Sequence, residues 1–127
     1  MDKDKVPMSL RNLCRRRPWL PALVVGIAIA AVSSIPRLAI RGPLFPGCDK
    51  LAHFIEYLIL GAALRYWSGD GRKRFLAGGV VFAVLDEVHQ TFVPGRHASP
   101  WDVVADTLGL VVGFALSRHL VRKERYG

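Results

Sequence analysis

From Trp19 to Ile35 the chain has no charged residue, a gap that no solvent-facing helix carries and that is close to the length needed to cross a hydrocarbon core. Acidic residues are scarce as well, 10 against 18 Lys and Arg, for a formal charge of +8 with half of the residues hydrophobic. A soluble helical bundle would need polar faces running the length of each helix, whereas here the polar residues collect between the apolar runs or at one end of them. There is no internal repeat and no low-complexity tract. There is no His-Glu-x-x-His pair, so the histidines His53, His89 and His97 give no zinc signature, and neither a metal nor another cofactor is expected. No Gly-x-Ser-x-Gly elbow exists, and Ser33 and Ser99 lack an adjacent base, which leaves a serine hydrolase without its parts.

What is present reads as one domain of four apolar segments, an all-α membrane protein. The segments run over residues 19–35, 51–67, 75–93 and about 101–120, separated by Pro36, Gly42, Pro43, Pro46 and Gly47, then Ser68, Gly69 and Gly71, then Pro94, Gly95 and Pro100. On this reading 1–18 is a basic tail, 19–120 a four-helix transmembrane domain and 121–127 a second basic tail. The basic residues set the orientation. Lys3, Lys5, Arg11 and Arg15 to Arg17 precede the first segment, Arg72 to Arg74 lie in the second connection, and Arg118, Arg122, Lys123 and Arg125 end the chain. The other two connections hold Arg37, Arg41, Lys50 and Arg96, so the positive-inside tendency puts both termini in the cytoplasm. Arg65, at the inner end of the second segment, snorkels. This charge suits anionic membrane lipids and not nucleic acid. The first segment also has the layout of a cleavable signal peptide, which would leave three spans. With four, Cys14 is cytoplasmic and Cys48 external, and the two form no disulfide.

Polar residues inside such segments are costly. An Asp, Lys or Arg at mid-helix costs roughly 2.5 to 3.5 kcal/mol on insertion scales, so residues of this kind are expected to face one another or water. Lys50 and His53 open the second segment, Glu87 and Gln90 lie in the outer half of the third, Arg96 and His97 occupy the outer connection, and Asp102 and Asp106 open the fourth. Lys50, His53, Tyr57 and Gly61 share a helical face, as do Gly79, Ala83, Glu87 and Gln90, and Asp102, Asp106, Gly109 and Gly113. Small residues lie deeper than polar ones in each stripe, which predicts close helix approach below and a polar cup at the outer face above. Tyr57 reads as a packing residue with a hydroxyl partner across the bundle, and Glu56 and Asp86 as pocket members or partners of a neighbour.

The run Asp49-Lys50-x-x-His53-Phe54-x-x-Tyr57, followed by Glu87-x-x-Gln90, Pro94-Gly95-Arg96, Asp102 and the pair Gly109 and Gly113, resembles the VanZ-like family of small bacterial membrane proteins. The resemblance covers about Cys48 to Gly113 and departs at Asp106, where the family usually has Asn. It implies residence in the bacterial cytoplasmic membrane and a cell-envelope role, the founding member being associated with resistance to the glycopeptide teicoplanin. Three mechanisms fit the polar set. Lys50, Arg96 and Gln90 could bind an anionic group of an envelope lipid or cell-wall molecule, with Glu87, Asp102 and Asp106 holding the cations. Glu87 or His53 could serve as general base of a membrane-embedded enzyme on a lipid-linked substrate, with Arg96 stabilising negative charge. The set could instead pair helices, as Lys50 with Glu87 or Arg96 with Asp102 would. A homo-oligomer fits four short helices with a wide polar mouth.

Overall fold

The computed structural model describes residues 9–35, 48–96 and 98–126, and all its regular elements are helical, with no strand among the described residues. In chain order they are α1 (Leu10–Arg16), α2 (Leu20–Ser33), α3 (Cys48–Ser68), α4 (Lys73–Gln90), α5 (Pro100–Leu116) and α6 (Arg118–Tyr126). The connection over residues 36–47, with its Pro and Gly breakers, and His97 lie outside the described residues.

Each apolar segment becomes helical, with boundaries set by local chemistry. The third connection ends at Ser99, whose side chain accepts a hydrogen bond from the Trp101 backbone N–H at 3.3 Å, and Pro100 fills the first turn, where its missing N–H costs nothing. Gly69 and Gly71 turn the chain between α3 and α4, and Gly71 combines a φ of 79° with the Arg65 guanidinium packed where a side chain would stand. In the same connection Arg72 bonds Asp70 and holds its carboxyl below the usual range. Two boundaries differ from the sequence expectation. Within the basic tail, Leu10–Arg16 is a separate helix bent 102° from α2. The fourth segment is only loosened at Ser117, whose hydroxyl bonds the Gly113 carbonyl at 2.6 Å, and runs on through Leu120 into the charged α6.

The most extensive contact joins α3 and α5; α4 packs on both and α2 lies against α3 and α4. Glycine makes the central contact close. A side chain at Gly61 would strike the Leu110 backbone, one at Gly109 the backbone of Phe54 and Leu58, and one at Gly113 the Leu58 carbonyl. Gly109 and Gly113, four residues apart on α5, therefore form a small-x-x-x-small face against α3. Tyr57, Leu60, Leu64, Ala83, Leu110 and Phe114 fill the core around it.

Polar and apolar residues are arranged inside out. Asp86, Glu87, Gln90, Asp102 and Asp106 are buried, while Leu23, Ile27, Ile55, Ile59, Val81, Leu85, Val104 and Leu108 are exposed along the outer faces of α2 to α5. A soluble monomer rarely leaves so much contiguous apolar surface in water. By length and composition one helix, Pro100–Leu120, is apolar enough to cross a membrane, and a second if α1 and α2 form one bent span. The charged residues that take α3 and α4 out of that class are in part those turned inward.

Candidate functional site

The polar residues meet at the end of the bundle where α3 and α5 begin and α2 and α4 finish. Lys50, in the first turn of α3, lies 2.7 Å from Asp102 Oδ1 on α5 and 2.8 Å from Asp49 Oδ2. The contact with Asp102 is an ion pair at close range without the angle of a directed hydrogen bond. One turn further along both helices, His53 Nδ1 and Asp106 Oδ1 are 2.8 Å apart, and His53 Nε2 points toward Asp102 Oδ2 at 4.0 Å. The two rungs follow from helical period: Lys50 and His53 on α3 face Asp102 and Asp106 on α5. Asp106 is fully buried, and pairing to His53 explains how this chain carries an acid where an amide would serve the same bond.

From α4 comes Glu87, 7% exposed, whose Oε1 accepts the Ser99 backbone N–H at 2.6 Å. Ser99 thus caps α5 with its side chain and ties that helix start to α4 with its backbone. Glu87 Oε2 is buried and has no hydrogen-bond partner among the described residues. One ligand atom from each of His53, Glu87 and Asp102 lies within 4.8 Å of the others. A level deeper, the buried Tyr57 hydroxyl donates to Asp86 Oδ2 at 3.0 Å, so Tyr57 is a packing residue with a partner across the bundle and Asp86 is that partner.

Lys50, His53, Glu87, Asp102 and Asp106 are therefore brought together, from three helices. Gln90 turns the other way, donating to Ser33 Oγ of α2 at 3.2 Å, and His89 meets Ser34 at 3.0 Å instead of approaching His53. Arg96 stands in the connection between α4 and α5, after Gly95 with its φ of 81°. It forms no ion pair among the described residues, its Nε is buried without a partner, and it lies within electrostatic reach of Glu56. The pairings in which Lys50 joins Glu87 and Arg96 joins Asp102 are replaced: Lys50 takes Asp102, and Glu87 takes a backbone N–H.

Tyr57 and Asp86 were each expected to find a partner but were not matched to one another, and two further contacts went unforeseen. Asp86 shares the α4 face of Ala83, Glu87 and Gln90, so its inward direction was legible. Ser99-x-x-Asp102 before an apolar run is a helix-start pattern that would have placed Ser99 beside the site. The approach of His53 to Glu87 and Asp102 had no local signal, because it joins three helices.

Below the polar level an apolar groove of about 850 Å³ opens between α2, α3 and α4, lined by Trp19, Gly26, Leu60, Leu64, Phe75, Gly78 and Phe82 among others. Phe82 also packs against Tyr57, with ring centroids 6.2 Å apart, which connects the groove to the base of the polar cluster.

No curated protein and no solved structure matches the chain. A family model described as VanZ/LLP1 matches residues 24–122, from the first apolar helix through the polar cluster and the glycine face of α5 to α6. That span is most of the chain and holds every residue of the cluster, and the chain belongs to the VanZ/LLP1 family.

Proposed function

We propose that the chain is an integral protein of the bacterial cytoplasmic membrane, crossing it with α2, α3, α4 and α5, with both termini cytoplasmic and the polar cluster opening to the outside. The inside-out arrangement supports this, since lipid can cover the exposed apolar faces and the charged groups of α3 and α4 are turned inward. The concentration of basic residues before α2, between α3 and α4, and after α5 supports the orientation. Impermeant maleimide applied to intact cells should label Cys48 and spare Cys14; labelling of both would overturn the topology.

At that outer mouth we infer a binding site for the anionic group of an envelope lipid or lipid-linked cell-wall molecule. The observation that carries this reading is Arg96, a guanidinium at the polar end of the bundle that forms no ion pair among the described residues and whose Nε is buried without a partner. A planar fork of donors suits phosphate or carboxylate, and Lys50, 38% exposed, adds charge beside it. The apolar groove beneath supplies a place for hydrocarbon attached to such a head. Protein purified with its copurifying lipid should carry an anionic species that Arg96→Ala loses and Arg96→Lys retains in part, with folded yield unchanged in both. Identical lipid in all three would end the proposal.

Glu87 favours a second reading, a membrane-embedded enzyme on the same class of molecule. Its Oε2 is a buried carboxylate oxygen without a donor among the described residues, a lone pair open for a proton. Turnover abolished in Glu87→Gln, with the protein still inserted and folded, distinguishes this from binding alone.

A further inference from the structure

We propose that His53, Glu87 and Asp102 form a binding site for a divalent transition-metal ion of the Zn²⁺ class. The argument starts from charge. Four carboxylates, Asp86, Glu87, Asp102 and Asp106, are buried in one end of a small bundle. Lys50 faces Asp102 and His53 faces Asp106, but among the described residues the hydrogen bonds to Asp86 and Glu87 come from neutral donors, the Tyr57 hydroxyl and the Ser99 N–H. No cation stands at ion-pair distance from Glu87 among the described residues.

The arrangement of donors indicates where a cation belongs. His53 uses Nδ1 on the Asp106 carboxylate, which fixes the ring and leaves Nε2 directed at Asp102 Oδ2, 4.0 Å away. A histidine held from behind by a carboxylate is the usual support of a metal-binding imidazole. Lys50 faces the other oxygen of Asp102, Oδ1, so the ion pair and the His53 ring approach opposite oxygens of the carboxylate. Glu87 contributes an oxygen that is buried, has no partner among the described residues, and belongs to a side chain 7% exposed. Donor atoms of the three residues lie within 4.8 Å of one another. Ligands 2.0 to 2.2 Å from a tetrahedral ion stand about 3.4 Å apart, so the set closes by roughly an ångström, a shift within reach of these side chains. One imidazole and two carboxylates suit borderline Zn²⁺ better than soft Cu(I), and three protein ligands leave a position open for water or an anionic oxygen.

This inference rests on the geometry of three helices and not on what the pocket receives, so its failure leaves the headgroup reading standing. The test uses the full chain without a polyhistidine tag, in phosphatidylcholine nanodiscs, stripped with chelator and titrated with Zn²⁺. One zinc per chain is expected, with an X-ray absorption spectrum showing one imidazole nitrogen, oxygen ligands and no sulfur. Glu87→Gln or His53→Gln should weaken binding at least tenfold. Asp106→Asn, a change behind the ligand, should weaken it about 10- to 100-fold. Absence of stoichiometric zinc, a shell with two imidazoles or a sulfur in the wild type, or unchanged affinity in both Glu87→Gln and His53→Gln would overturn the site. The wild-type spectrum decides the matter where a variant fails to fold.

Discussion

The seam between α3 and α5 is built in two ways along its length. Where the helices begin, it is bridged by side chains: Lys50 reaches Asp102, and His53 reaches Asp106. Two turns on, the helices touch through backbone, with Gly61 against Leu110 and Gly109 and Gly113 against Phe54 and Leu58. The glycine half depends on shape alone, and a single added methyl must displace a main chain. The bridged half depends on charge and hydrogen bonding between side chains that meet at 2.7 and 2.8 Å.

The contrast can be broken most severely in the glycine half. Gly113→Leu should cost about 3 kcal/mol, because the Leu58 carbonyl has no flexible end to yield, and the variant should be lost as aggregate in size-exclusion chromatography of detergent extracts. Monodisperse Gly113→Leu with wild-type thermal stability would show that the helices do not touch there. In the bridged half, Asp106→Ala should cost about 3 kcal/mol by leaving the His53 ring without its buried partner, while Asp106→Asn, which still accepts from Nδ1, should recover most of it in the same unfolding assay. Equal loss in both would mean that volume, not the hydrogen bond, matters at 106. Smallest is Tyr57→Phe at the boundary between the halves. It removes the donor to Asp86 and keeps the ring, for about 1 to 2 kcal/mol in thermal unfolding.

Much of this architecture was legible in the sequence because a helix repeats. Lys50, His53, Tyr57 and Gly61 form a stripe whichever partner they meet, and the same holds for Asp102, Asp106, Gly109 and Gly113. The polar-above, small-below order within each stripe marked the two halves of the seam. Partner choice was not legible. Whether Lys50 meets Glu87 or Asp102 depends on how two helices are rotated and offset, which no single helix encodes. Gln90 shows the same limit: its position on the α4 stripe is compatible with the cup, yet α2 ends near enough for Ser33 to take its amide. The loosening at Ser117 had a weaker local cause, one hydroxyl on one carbonyl inside an apolar run that otherwise reads as continuous.

The convergence of helices on one polar pocket is tested most directly by a double-mutant cycle on His53 and Asp106, residues 53 positions apart in the chain. His53→Gln, Asp106→Asn and the double variant are compared with wild type by reversible unfolding in mixed micelles. A coupling of about 1 to 3 kcal/mol is expected, the double variant losing clearly less than the two single losses together. Additive losses would contradict the account, because side chains that do not meet have nothing to share.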